Sequence, residues 1–283
     1  MLSETKSRSA GKKDWDILVI DDEQVVIDAV VKICSSEGFT VDSVIDAKGA
    51  LERFDPDRIG TSKNSYKLIV CDIMMPGIDG FGFLNELHRR KIFSPLIMTT
   101  GYSTVENAVK SLYSGAIDFI PKPFTADEIV NSVLRGMKYL EIQKSLKNYK
   151  KNTSEIIYVP CPSKYSRLGY SSWVVEENLG SVLTGATDLF LKTIENISDI
   201  ELMQVDEEVV QGNACAHIKD KDERMHPLLS PVSGRIIEVN EELKNNKTLI
   251  EKDPYFKGWF YRLIPSDSEY EFKNLINCSS DRL

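Results

Sequence analysis

In the first half of the chain, short apolar runs repeatedly close on a polar or charged residue, and each is followed by a helix-like pattern. Asp16-Ile17-Leu18-Val19-Ile20 leads into Asp21-Asp22-Glu23, and Leu68-Ile69-Val70-Cys71 leads into Asp72. Pro95-Leu96-Ile97-Met98 ends in Thr99-Thr100-Gly101, and Asp118-Phe119-Ile120 ends in Pro121-Lys122-Pro123. Five alternations of strand and helix predict an α/β domain, a five-stranded parallel sheet with helices on both faces. Strands are expected near Ile17–Ile20, Thr40–Val44, Leu68–Cys71, Leu96–Thr99 and Phe119–Pro121. Helices are expected over Gln24–Glu37, Ala47–Phe54, Phe81–Lys91, Thr104–Ser114 and Ala126–Tyr149. Parallel strands present their C-terminal ends along one edge, where such sheets bind ligands. Asp21, Asp22, Asp72, Thr100 and Lys122 are therefore expected to converge.

That set has a definite chemistry. Three carboxylates at one edge repel one another unless a cation neutralises them, and hard oxygen donors with room for water suit Mg²⁺. A lysine ammonium and a threonine hydroxyl then complete a site for a phosphoryl group. Asp72, held by its strand beneath the turn Met75-Pro76-Gly77-Ile78-Asp79-Gly80, is placed to act as a nucleophile that forms an acyl phosphate.

At these residues the chain resembles the receiver domain of two-component response regulators, a flavodoxin-like fold. The motifs are Asp21-Asp22, Asp72 with Met75-Pro76-Gly77 and Asp79-Gly80, Thr100-Gly101, and Phe119 through Lys122-Pro123-Phe124. The resemblance implies that Asp72 accepts phosphate from a sensor histidine kinase. It implies that Asp22, Asp72 and the Met74 carbonyl bind Mg²⁺, with Asp21 acting partly through water. It also implies that Thr100 and Lys122 contact the phosphoryl group, and that Thr100 and Phe119 form the switch pair.

Composition narrows the class. Apolar residues at 42% and charged residues at 28% are globular values. A net charge of −8 argues against a general nucleic-acid binder. No apolar stretch approaches the length of a membrane span. Met1 to Lys13 is polar without an apolar core, so it reads as a disordered tail rather than a secretory signal. The five cysteines are scattered with no C-x-x-C pair, which favours reduced thiols and a cytoplasmic protein. His88, His217 and His226 lack metal-ligand spacing and read as isolated polar residues.

Domain boundaries are expected at 14–138 for the receiver-like unit, 139–155 for a helical extension and linker, and 156–283 for a second domain. Along the last helix of the first unit, Val130, Val133, Met137 and Leu140 are expected to face the sheet. A second stripe, Tyr139, Ile142, Leu146 and Tyr149, needs a partner, either the second domain or a homodimer mate.

Beyond residue 155 short β-branched segments alternate with turns around one helical stretch, Thr187–Ile197, which predicts a β-rich barrel or sandwich. Tyr170-Ser171-Ser172-Trp173-Val174, Val182 to Asp188, Ser230 to Glu241 and Asp253 to Trp259 together resemble the glycine-cleavage H protein. The resemblance implies a lipoyl-type barrel-sandwich hybrid fold, with a carrier lysine at a hairpin tip. Here the hairpin runs from Ala214–Ile218 to Met225–Ser230, and its tip reads Lys219-Asp220-Lys221-Asp222-Glu223-Arg224. Counting from Cys215 puts the carrier position on Asp222, and counting back from Pro231 puts it on Glu223. Neither is lysine, so no lipoyl attachment and no lipoate are expected.

The resulting expectation is a non-enzymatic response regulator, apart from slow self-dephosphorylation, whose degenerate H-like domain binds an unknown protein. A phosphorylation-gated lipoate carrier using Lys219 or Lys221 is the alternative. A transcriptional regulator is disfavoured, since no DNA-binding motif is present.

Overall fold

Ile17, Leu18, Leu68, Ile69 and Ile97 are fully buried because the strands that carry them are covered on both faces. The structure, a computed structural model, describes residues 14–54, 65–102, 104–149 and 157–279. The expected tail before residue 14, and most of the connection before the third strand, lie outside the described residues. Strands β1 (Asp14–Ile20), β2 (Val41–Val44), β3 (Ser65–Asp72), β4 (Leu96–Thr100) and β5 (Asp118–Pro121) form one parallel sheet in the order β2-β1-β3-β4-β5. Helices α1 (Gln24–Ser36), α2 (Ala47–Arg53), α3 (Gly80–Arg89), α4 (Val105–Tyr113) and α5 (Ala126–Tyr149) alternate with the strands. Side chains along a strand point alternately to the two faces. Leu18, Ile20, Ile69 and Cys71 therefore pack with Phe83, Leu84 and Leu87 of α3. Ile17, Val19, Leu68 and Val70 pack with Ile27 and Val30 of α1 and Ile129 and Val133 of α5. Side-chain caps set several helix starts: Asp46 accepts from the Gly49 N–H, Asp79 from the Gly82 N–H, and Thr104 from the Asn107 N–H.

Helix α5 keeps Val133 and Met137 on the sheet face as expected, with one exchange beside them. Ile129, not Val130, is fully buried with Val133 against the sheet. Of the second stripe, Tyr139 finds a partner in the chain: its ring lies 5.1 Å from that of Tyr170.

The second domain comprises β6 (Ser166–Leu168), β7 (Ser172–Glu176), β8 (Val182–Ala186), α6 (Asp188–Lys192), β9 (Ile197–Leu202), β10 (Glu208–Val209), β11 (Ala214–Asp220), β12 (Met225–Leu229), β13 (Gly234–Val239), β14 (Trp259–Pro265) and β15 (Ile276–Asn277). Its strands pair antiparallel in a seven-stranded sheet, β10-β13-β14-β8-β7-β6-β15, and a three-stranded one, β12-β11-β9. The fold is the expected β-rich barrel-sandwich. Two details differ from the sequence reading. The helix expected over Thr187–Ile197 is only α6, because Asn196 adopts φ 54° and Ile197 already begins β9. Of the short β-branched segments expected beyond residue 155, the first described one, Ile157–Val159, is not in a strand.

The two domains share a core. Val109 and Leu112 of α4 pack with Leu168, Val174, Val209 and Leu228. Gly169 (φ 53°) and Gly212 (φ 80°) carry the backbone against α4; a Cβ on either would come within 2.9 Å of Leu112 or Val109.

Candidate functional site

The strand edge of the first domain gathers the expected residues. Asp72 ends β3 and is only 3% exposed. One of its carboxylate oxygens, Oδ2, accepts the Met74 N–H at 2.8 Å, and the other lies 2.8 Å from Lys122 Nζ. The same ammonium is 2.8 Å from Asp21 Oδ2 and 3.8 Å from Glu23. Asp21 Oδ1 accepts the Glu23 N–H at 3.0 Å. Burial raises the Asp21 pKa, against the opposing pull of Lys122 and the Glu23 N–H. Burial also works against the Lys122 charge, but its bonds to Asp21 and Asp72 outweigh it and raise its pKa. Lysine thus stays protonated between two buried carboxylates.

Thr100 closes β4, fully buried, with its Oγ1 accepting the Tyr102 N–H at 3.1 Å. Its carbonyl accepts the Lys122 N–H at 2.8 Å, which ties the ends of β4 and β5 together. Phe119 is half-buried against the core face that holds Ile69 and Met98. Asp22 is exposed at the mouth, as are Met74 (52%) and Tyr102 (70%). Among the described residues no three acids, histidines or cysteines already form a closed metal cage. The donors at this edge are hard oxygens, two of them drawn together only through Lys122, with Asp22 open to solvent. That donor set fits a hard divalent cation that keeps several waters.

The hairpin β11–β12 is the second candidate. Its tip turns through Glu223 at φ 63°. Lys219 is engaged by Glu223 at 3.0 Å, and Arg224 by Asp222 at 3.2 Å. Asp222, Glu223 and Lys221 are exposed. The two positions counted for a carrier lysine are therefore acids at the apex. Below them Asp220 is buried and accepts the N–H groups of Asp222 (2.8 Å) and Arg224 (3.0 Å).

Sequence reasoning missed what lies beneath that tip. His226 is 3% exposed; its Nε2 is 3.2 Å from Asp220 and its Nδ1 is 2.8 Å from Nη1 of Arg135 on α5. Arginine can only donate, so Nδ1 accepts and Nε2–H donates to Asp220. Arg135 Nη2 donates to Asp118 Oδ2, which also accepts from Ser132 Oγ at 2.5 Å. The Asn131 amide donates to the Met225 carbonyl at 3.2 Å. Burial and the Arg135 guanidinium push the His226 pKa down to about 4, against the pull of Asp220 and Asp118. The reading of His226 as an isolated polar residue is corrected: it joins the two domains. Nothing in the sequence signals this, because Arg135 and His226 are 91 residues apart.

All five cysteines are buried free thiols. Among the described residues no helix is long and apolar enough to cross a membrane.

Comparison with known proteins divides the chain in the same way. The response regulator receiver domain family matches residues 17–134, and the glycine cleavage H-protein family matches residues 164–281. The transcriptional regulatory protein TcrA of Mycobacterium tuberculosis is 34% identical over 113 residues, 40% of this chain and 42% of its own length. The glycine cleavage system H protein of a Shewanella species is 32% identical over 109 residues, 38% of this chain and 82% of its own. Among solved structures, a Francisella response regulator receiver domain matches with 30% identity and a TM-score of 0.40, covering 44% of this chain and 97% of its own. The chain spans less than half the length of the first curated regulators it matches.

Proposed function

We propose that this chain, which belongs to the response regulator receiver family over residues 17–134 and to the glycine cleavage H family over residues 164–281, is a phosphorylation switch coupled to a protein-binding module. In this reading residues 14–138 are the switch, 139–155 the extension and linker, and 156–283 the module. The observation that carries it is the Lys122 ammonium held 2.8 Å from both Asp21 and Asp72 at the strand edge.

A phosphorylated histidine of a sensor kinase is the donor. An Asp72 carboxylate oxygen attacks phosphorus, and the O–P bond forms as the N–P bond to the donor imidazole breaks; the departing nitrogen keeps the electron pair and is protonated. Lys122 balances charge that builds on the phosphoryl oxygens. Thr100 already accepts the Tyr102 N–H, so its own O–H is left to donate to one of those oxygens. Asp21, Asp22, Asp72 and the Met74 carbonyl would hold Mg²⁺, which supplies further charge neutralisation when bound. Phe119, one residue beyond Asp118, is the half-buried side chain that answers a shift of Thr100.

The module reading rests on the hairpin apex. Lipoate needs a lysine there, and the apex offers Asp222 and Glu223 while Lys219 is engaged by Glu223. Lys221 is exposed in the turn but off both counted positions, so this reading assigns binding rather than carriage to this half, with a gated carrier on Lys219 or Lys221 as the alternative. A lipoate-dependent or lipoyl-attaching enzyme as its partner is fold-level analogy. The transcriptional role in a relative's name stays with that relative.

Incubation with a small phosphodonor and Mg²⁺ tests the switch. Intact mass should rise by one phosphate that base removes, and Asp72→Asn should gain none. Comparable base-labile gain in Asp72→Asn overturns the reading.

A further inference from the structure

Helix α5 is longer than the sheet it packs on, and its last turns pass the start of β4, at the pole opposite the acidic edge. A groove of about 440 Å³ lies there, within the roughly 300–1,000 Å³ range of small-molecule sites. Leu84 and Leu87 of α3 and Leu96 of β4 are buried at its base. The α3–β4 connection supplies Ile92 and Phe93 to its lining, and α5 supplies Leu140.

The two ends of the groove differ. The α5 residues that line it run from Tyr139 to Lys147, about 12 Å along the helix axis. At the first end the Tyr139 ring meets that of Tyr170, in the second domain, at 5.1 Å. At the other the Lys147 ammonium lies 5.3 Å from the centre of the Phe93 ring, which is 74% exposed. An aromatic end and a cationic end are thus separated by about the length of an extended medium-chain acyl group.

The charge at this groove is one-sided. The chain carries −8 overall, yet among the described residues the groove is lined by Lys144, Lys147 and His88 and by no acid. The carboxylates close by in sequence are engaged elsewhere: Glu86 with Arg89 at 2.6 Å and Arg90 at 2.7 Å, and Glu141 with Lys138 at 3.3 Å. A cation in the last turn of a helix offsets the helix dipole, which accounts for Lys147. It accounts neither for Lys144, one turn earlier, nor for the apolar surface beneath both. A molecule with an apolar body and an anionic head satisfies the two together: its carbon leaves water in the groove, and its charge meets the lysines at the rim.

We propose that this groove binds a medium-chain aliphatic carboxylate, with its chain between Leu140 and the α3 leucines and its carboxylate at Lys144 and Lys147. The site is separate from Asp72 and from the hairpin tip, and it does not rest on the phosphorylation reading. A chain that reaches the aromatic end touches Tyr139 of α5 and Tyr170 of the second domain, so the ligand contacts both domains.

Titration calorimetry of the full-length chain tests it, with decanoate below its micellar concentration as the probe and decanol and decylamine as neutral and cationic controls. Decanoate should bind saturably, one per chain, and roughly tenfold more tightly than either control, the worth of a charge-assisted contact. Lys144→Glu combined with Lys147→Glu, both exposed positions, should abolish that preference and leave decanol binding within a few-fold. Leu140→Trp, which fills the groove, should weaken decanoate and decanol alike. No saturable binding of decanoate overturns the proposal. So does equal binding of decylamine, or decanoate binding that the paired lysine variant leaves unchanged; neither of these depends on how Leu140→Trp folds. Sedimentation of the ligand-free chain should show no dimer that Leu140→Trp dissociates; such a dimer would assign the groove to a second copy of the chain and overturn the proposal.

Discussion

Lys122 Nζ lies 2.8 Å from Oδ1 of Asp72, and at the same distance from Asp21, so one ammonium spans two buried carboxylates. That arrangement places a positive charge beside the Asp72 carboxylate, where phosphoryl oxygens arrive. Replacing Lys122 by Met should slow phosphorylation by roughly a hundredfold, the usual effect of removing one group that stabilises developing charge. Initial rates of mass gain with acetyl phosphate measure it. A rate within a few-fold of the unaltered chain would remove Lys122 from the chemistry.

The lifetime of the phosphate should be long. Hydrolysis needs a water in line with the O–P bond. Met74 and Tyr102 stand exposed at the mouth, and neither carries a carboxylate or amide to orient that water. Tyr102→Glu or Met74→Asn should shift the half-life several-fold, read as decay of the phosphorylated mass after donor removal. Identical decay in both variants would show that these side chains do not govern access.

His226 gives the domain contact a pH dependence. Its folded pKa of about 4 lies below the ordinary 6.5 for histidine, so the unfolded chain takes up a proton first. Its neutral ring contributes full stability above pH 6.5, and that contribution is lost as pH falls from 6.5 towards 4. The difference reaches about 3 kcal/mol at the acid end. Asp21 and Asp188 have raised pKa values and work in the opposite direction over acid pH, so the comparison is between the unaltered chain and His226→Gln. The denaturation midpoint of His226→Gln should depend less steeply on pH between 6.5 and 4. Equal slopes would mean the ring titrates as it does in water.

The tight approach at Gly212 offers a second test of the domain contact. Alanine there must hold φ near 80° and bring a methyl within 2.9 Å of Val109. Gly212→Ala should cost about 1–3 kcal/mol and speed hydrogen exchange in α4. A neutral effect on both readouts would show that the second domain does not depend on that approach.

The second domain should remain unmodified. Co-expressed with a lipoylating enzyme and supplied with lipoate, the purified chain should keep its unmodified mass. A lipoyl adduct on Lys219 or Lys221, abolished when that lysine is replaced by Arg, would favour a gated carrier over a binding module.

Much of the acidic edge was legible because strand ends are written locally. Asp21, Asp72, Thr100 and Lys122 each follow their own apolar run, and parallel pairing brings such ends to one side. The hairpin was equally legible, down to the acids at its apex. What joins the domains was not. Arg135 is one charged residue among many on α5, and His226 is a lone histidine in a strand; their contact depends on how the two domains meet. Along α5, Val133 and Met137 face the sheet as the pattern predicts, but Ile129 and Val130 are both apolar, and only packing on the sheet shows that Ile129 is the buried one. Gly169 and Gly212 look like turn glycines in sequence, and their second use, close approach to α4, appears only once α4 is in place.

The central claim, that Asp72 is the phosphoacceptor, is tested most directly by chemical trapping of the acyl phosphate. After incubation with a phosphodonor and Mg²⁺, borohydride reduction converts an aspartyl phosphate to homoserine, and peptide mass spectrometry locates it. The account predicts homoserine at position 72 and at no other aspartate. Homoserine at Asp21 or Asp22 with none at Asp72, or none anywhere in a chain whose mass shows base-labile phosphate, would contradict it.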